Sequence, residues 1–128
     1  MQPIVEREKP HILIIEDNTD LRESLEAALT EADFTVETAN TTERGLERIA
    51  DKLPDAILLD IITGSMHGSV FLKRLREMPA GKTCPVVVLT NLEDPDLKAQ
   101  LHEYTIFAYL IKANTPFKDI VETIRGSL

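Results

Sequence analysis

His11-Ile12-Leu13-Ile14-Ile15, a run of apolar residues that stops on the acidic pair Glu16-Asp17, is the stretch from which the fold can be read. It is too short for a helix and, after His11, apolar at every position, as expected of a strand covered on both faces. The pattern recurs down the chain. Ala56-Ile57-Leu58-Leu59 stops on Asp60, Val86-Val87-Val88-Leu89 on Thr90, and Ala108-Tyr109-Leu110-Ile111 on Lys112. A further segment, Phe34-Thr35-Val36-Glu37-Thr38, alternates apolar with polar and suits a sheet edge. Strands are therefore expected near residues 12–15, 35–38, 56–59, 85–89 and 107–111.

Amphipathic helical stretches lie between these runs. Leu21, Leu25, Ala28 and Leu29 repeat at helical spacing behind Asn18, which is placed to cap the first turn. A second helix over residues 42–52 presents Leu46, Ile49 and Ala50, and a third presents Val70, Phe71, Leu72 and Leu75 before Met78-Pro79 and Gly81 end it. The fourth, after Pro95, has only Leu97, Ala99 and Leu101 to bury and should be the least secure. The fifth begins near Pro116, a favoured early helix position, and carries Phe117, Ile120, Val121 and Ile124. Arg74 and Arg76 read as charges on the solvent face of the third helix. Alternating βα units with right-handed crossovers imply a flavodoxin-like, doubly wound (βα)5 fold with a parallel sheet of order 2-1-3-4-5. In that order the first and third strands are neighbours, and a crevice opens at their carboxyl ends, where Glu16, Asp17 and Asp60 lie.

Composition narrows the function classes. The 128 residues and 43% hydrophobic content suit one domain with its own core, and a single cysteine, Cys84, excludes an internal disulfide. The net charge of −8 opposes phosphate-backbone binding, and the absence of tryptophan argues against a base-stacking platform, so no direct nucleic-acid partner is expected. Residues 1–9 are polar and mixed in charge; they read as a poorly ordered extension without a signal sequence, ahead of a domain over residues 10–128. No stretch reaches the roughly 20 apolar residues of a membrane span, and a soluble cytoplasmic protein is expected.

Three clustered carboxylates repel one another, by about 4 kcal/mol for a pair some 4 Å apart at an effective dielectric near 20. A divalent cation relieves that conflict. Hard oxygen ligands without histidine or thiolate point to Mg²⁺, with Mn²⁺ as the alternative, and leave Asp60 free to act as a nucleophile towards phosphorus. Mg²⁺ held by Glu16 and Asp17, the Lys112 ammonium and the Thr90 hydroxyl would then neutralise or bond the phosphoryl oxygens. His67, His11 and His102 have no metal-ligand spacing, and His67 reads as a solvated loop residue.

On these residues the chain resembles the receiver domains of two-component response regulators, in particular the chemotaxis-type single-domain receivers. The resemblance runs from about Pro10 to the C-terminus and is carried by Glu16-Asp17, Asp60, Gly68, Thr90, Tyr109 and Lys112. It implies that Asp60 accepts a phosphoryl group from a histidine kinase or histidine phosphotransfer domain. It implies also that Glu16, Asp17, Asp60 and the Ile62 backbone carbonyl hold the metal. Thr90 and Tyr109 would form a switch couple that signals to a downstream protein through the fourth helix, fifth strand and fifth helix. By the same resemblance the domain turns over no external substrate and catalyses only its own phosphorylation and dephosphorylation.

Several positions depart from the family pattern. Thr63-Gly64 replaces a Met-Pro pair, so that loop should be more flexible than usual, and His67 stands where an acid is usual. Ala113 follows Lys112 in place of proline, which removes the ordinary reason for a cis peptide and loosens the placement of the ammonium. Asn91 stands where a very small residue is favoured and is expected to narrow phosphate access. Tyr104-Thr105-Ile106 replaces a Gly-Ala turn. Ile62 is apolar and is expected to screen attacking water, lengthening the phosphorylated lifetime. These changes keep a second function open, a pseudo-receiver that binds proteins without being phosphorylated. A flavin- or nucleotide-binding protein of the same architecture is disfavoured by the acidic loop Glu16-Asp17-Asn18-Thr19-Asp20.

Overall fold

A computed structural model describes residues 8–62 and 66–128. Strands β1 (His11–Ile15), β2 (Thr35–Ala39), β3 (Ala56–Leu59), β4 (Val86–Thr90) and β5 (Ala108–Ile111) alternate with helices α1 (Thr19–Glu31), α2 (Thr42–Asp51), α3 (Gly68–Glu77), α4 (Pro95–His102) and α5 (Phe117–Ser127). The sheet runs β2-β1-β3-β4-β5 with every neighbouring pair parallel, which is the flavodoxin-like order the alternation implies. Residues 1–7, most of the expected extension, lie outside the described residues, and so does the Thr63-Gly64 loop.

Because successive strand side chains point to opposite faces, the central strands feed two cores at once. Leu13, Ile15, Ile57, Leu59, Val86 and Val88 pack with Phe71, Leu72 and Leu75 of α3 and Ile49 of α2. Ile12, Ile14, Leu58, Val87 and Leu89 pack on the other face with Leu25 and Leu29 of α1 and Ile120 and Ile124 of α5. Each fully buried aliphatic side chain is worth about 1.5–3 kcal/mol, so the five-residue runs that look redundant in sequence are the main source of cohesion. Asn18 caps α1 as expected, its side chain accepting from the Leu21 N–H at 2.8 Å.

Some expected core positions are not core. Ala50, Val70, Ala99 and Phe117 are exposed, and α2 buries Thr42 and Gly45 beside the expected Ile49. Gly45 lies against the Ile15 side chain, in space that a Cβ would need. At Gly68, which opens α3, a Cβ would lie 3.0 Å from the Ile61 Cα, so the helix starts hard against the end of β3. The fourth helix is eight residues long and buries only Leu101, which fits its thin apolar stripe.

Arg76 is not a solvent-face charge. Its guanidinium donates to four carbonyl oxygens, those of Gly81 (2.8 Å), Cys84 (2.7 Å), Tyr104 (2.8 Å) and Thr105 (3.3 Å). It thereby ties the α3–β4 connection to the turn after α4, where Thr105 has a positive φ of 61°. The Tyr104-Thr105-Ile106 segment is thus held from outside itself. Burial lowers the pKa of the guanidinium from its ordinary value. Removing it leaves several carbonyls without a donor, so Arg76→Met should destabilise the protein by about 2–4 kcal/mol in urea unfolding, against about 0.5 kcal/mol or less for Arg74→Met. Equal effects of the two would mean that the carbonyls find water at no cost.

Candidate functional site

Parallel strands in register deliver their carboxyl-terminal neighbours to one place. Ile15 pairs with Leu59, so Glu16 and Asp60 follow side by side, and Thr90 pairs with Ile111, so Lys112 follows beside the end of β4. The backbone holds this alignment beyond the strands themselves. The Asp60 N–H donates to the Ile15 carbonyl at 2.9 Å, and the Glu16 N–H to the Ala39 carbonyl at 3.0 Å. Glu16, Asp60 and Thr90 are all buried, at 2%, 7% and 2% exposure, although none belongs to an apolar residue type.

The Lys112 ammonium spans the crevice. Its Nζ lies 2.7 Å from Glu16 Oε1 and 3.0 Å from Asp60 Oδ2. Burial alone would lower the lysine pKa, but the hydrogen bonds and charges of Glu16 and Asp60 prevail and hold it above its ordinary value. Burial pushes the Glu16 carboxyl up to about 7, even though Lys112 and the Asn18 N–H pull it down. One cation among three acids therefore leaves the cluster under-neutralised.

Glu16, Asp17 and Asp60 can each offer a carboxylate oxygen within 4.8 Å of the others, the one such cluster of potential metal ligands among the described residues. Glu16 Oε1 is buried, and the Lys112 ammonium at 2.7 Å is the one cation beside it among the described residues. A hard, oxygen-only donor set of three carboxylates with a single ammonium between them fits a divalent cation. Asp60 Oδ1 accepts from the Ile62 N–H at 3.1 Å, which turns the next residues back over the carboxylate. The Ile62 side chain is exposed. The peptide bonds of the described residues, Lys112-Ala113 included, are trans.

Thr90 and Tyr109 meet at a third residue that the sequence did not single out. Thr90 Oγ1 accepts from the Leu92 N–H at 3.2 Å, and the Tyr109 hydroxyl donates to the Leu92 carbonyl at 2.6 Å. Burial, assisted by the Asp94 charge, raises the Tyr109 pKa, so its hydroxyl remains a donor at neutral pH. Arg22 was also missed. Its guanidinium donates to the carbonyls of Glu16 (3.0 Å) and Asp17 (3.3 Å) and so fixes the acidic loop. Its position in the opening turns of α1, close behind two acids, was the available signal. His67 caps α3 through Nδ1, which accepts from the Ser69 N–H at 3.1 Å, and remains exposed. Asn91, expected to narrow access, accepts from the Ala113 N–H at 3.1 Å.

A family model described as the response regulator receiver domain matches residues 12–125. The DNA-binding transcriptional regulator NtrC of Escherichia coli K12 is 32% identical over 113 residues, which are 88% of this chain and 23% of that protein. The response regulator ArlR of Staphylococcus aureus MW2 is 29% identical over 119 residues, 91% of this chain and 52% of that one. The chain thus spans about half or less of the length of these relatives. The chemotaxis response regulator CheY4 of Vibrio cholerae has the same fold, with a TM-score of 0.85 at 24% identity, covering 94% of this chain and 99% of that one.

The raised pKa of Glu16 fixes the sign of a pH response. The folded state holds this proton more tightly than the unfolded state, so stability present below about pH 4.5 is lost as the pH rises to about 7. In chelator, Glu16→Gln should melt higher than wild type at pH 8, by a few degrees, with the gap closing towards pH 5. A gap that is the same at both pH values would show that Glu16 titrates normally in the fold.

Proposed function

The chain belongs to the response regulator receiver domain family of two-component systems, and on that basis we propose that it is a phosphoacceptor whose reactive residue is Asp60. The observation that carries this reading is the Lys112 ammonium lying 3.0 Å from Asp60 and 2.7 Å from Glu16, because it places the nucleophile beside fixed positive charge. An Asp60 oxygen forms a bond to phosphorus as the bond from the donor breaks. From a phosphohistidine this is the P–N bond, and the imidazole keeps its electron pair. Hydrolysis reverses the modification: water oxygen bonds to phosphorus, the acyl P–O bond breaks, and Asp60 returns as carboxylate with inorganic phosphate. Lys112 stabilises the charge on the phosphoryl oxygens and Thr90 donates its hydroxyl to one of them. Held by Glu16, Asp17, Asp60 and the Ile62 carbonyl, Mg²⁺ or Mn²⁺ would neutralise carboxylate and phosphoryl charge together.

The domain over residues 10–128 is read as cytoplasmic, with a histidine kinase or histidine phosphotransfer domain upstream and a protein target downstream. Among the described residues no helix is long and apolar enough to cross a membrane. Thr90 turning towards a phosphoryl oxygen gives up its bond to the Leu92 N–H, and the Leu92 carbonyl is the acceptor of Tyr109. A charge event in the crevice is thereby felt on the surface of α4, β5 and α5, where Glu93, Asp94, Pro95, Lys98, Tyr109 and Ile111 line a concavity of about 430 Å³.

Incubation with acetyl phosphate and Mg²⁺ should add the mass of one phosphoryl group to wild type and none to Asp60→Ala; an unmodified wild type would favour the pseudo-receiver. Separately, Mg²⁺ should raise the melting temperature of wild type and do little for Asp17→Asn, while without metal Asp17→Asn should melt above wild type. Equal Mg²⁺ responses in the two proteins would remove Asp17 from the ligand set.

A further inference from the structure

We infer that Asn91 is a positioning residue for the Lys112 ammonium, acting through the backbone of Ala113; this deepens the phosphoacceptor reading and rests on it. Lys112 is the first residue of a single 3-10 turn, Lys112–Asn114, that follows β5 and has no side-chain cap. At its far end the turn is tied back to β5 by the Thr115 hydroxyl, which donates to the Ile111 carbonyl at 2.7 Å, while the Thr115 N–H reaches the Lys112 carbonyl only at 3.5 Å. Its early N–H groups have no partner inside so short a turn. Asn91 supplies one from 22 residues away, its Oδ1 accepting from the Ala113 N–H at 3.1 Å.

What makes this bond more than a surface contact is the stiffness of its two ends. Asn91 directly follows β4, whose five residues are all buried, so its backbone is fixed by the core although its side chain is exposed. Lys112 directly precedes Ala113, and its ammonium must reach Asp60 and Glu16 on two other strands to within hydrogen-bond distance. The β5 residues are only half-buried, so the last strand is the least constrained member of the crevice on burial grounds. The Asn91 carboxamide transfers the rigidity of β4 to the start of the turn that carries the lysine. A proline at position 113 would have no N–H to offer. The bond from Asn91 therefore depends on a residue other than proline at position 113, and Ala113 meets that condition.

This assignment opposes the expectation that Asn91 acts by bulk, and the two differ in sign. Asn91→Ala removes bulk and acceptor together, whereas Asn91→Leu keeps the bulk and removes only the acceptor. If Asn91 positions Lys112, both variants should take up phosphoryl from acetyl phosphate about ten- to a hundredfold more slowly than wild type, the upper figure being the scale of a catalytic group displaced by about 1 Å. Neither should slow the reaction further in a Lys112→Gln background, as a residue acting through the lysine must behave. Faster uptake in Asn91→Ala with an unchanged Asn91→Leu would overturn the inference in favour of bulk, and additive losses with Lys112→Gln would overturn it in favour of general destabilisation. Two NMR observations require no phosphorylation and decide the matter even if Asp60 proves inert. The Ala113 amide should lose its exchange protection in Asn91→Leu, and the Lys112 side-chain ammonium signal should move towards that of a solvated lysine while β4 amides stay protected. An unchanged ammonium signal would end the proposal.

Discussion

Between Lys112 and the acids of β1 and β3 there is one ammonium for two buried carboxylates, at 2.7 Å and 3.0 Å, and the arrangement of the crevice depends on that imbalance. Two acids brought together by neighbouring strands could not both remain charged and buried without a cation, because each lacks the water that would solvate it. The ammonium supplies enough positive charge to keep the edge of the sheet folded, but not enough to neutralise Asp17 as well. The fold therefore carries a local deficit of positive charge at its resting state. Such a deficit destabilises the fold slightly and favours whatever brings positive charge to the carboxylates.

The same imbalance explains why polar residues end the most apolar strands. The sheet is rigid because both its faces are covered, and rigidity is what allows a carboxylate, a hydroxyl and an ammonium from strands far apart in sequence to be held within hydrogen-bond reach. Supporting groups then fix the loops that leave the sheet. Arg22 holds the carbonyls of Glu16 and Asp17, the Ile62 N–H holds Asp60, and Asn91 holds Ala113. Each uses a single side-chain or backbone bond to fix the backbone or carboxylate of a residue at the edge of the crevice.

The strands and the residues that terminate them were legible because their signal is local. An uninterrupted apolar run has few solutions other than a strand covered on both sides, and the order of the strands follows from the handedness of the crossovers. Asn18 was legible as a cap for the same reason. What could not be read was set by distance in sequence. Arg74 and Arg76 are alike on paper, and only the arrival of the turn after α4 makes one of them a clamp for four carbonyls. Gly45 marks the approach of Ile15, 30 residues earlier, and nothing in its own neighbourhood announces it. Asn91 could be read only as a matter of size, because its partner is a backbone N–H that appears in no side-chain pattern.

Under the phosphoacceptor reading proposed above, the route by which a charge in the crevice reaches the surface follows from the same economy of contacts. The Leu92 carbonyl accepts from the Tyr109 hydroxyl and the Leu92 N–H donates to Thr90 Oγ1, so the two side chains are joined through the backbone of one residue. That unit precedes α4, which has one buried residue and so little packing to resist displacement. At its other end the helix runs into a turn pinned by Arg76. A new anion beside Asp60 can shift this assembly only as far as it offers the Thr90 hydroxyl a better partner than the contact with Leu92 it replaces. On that proposed reading the free energy available for signalling is that difference, and the single buried residue of α4 lets a modest difference be sufficient.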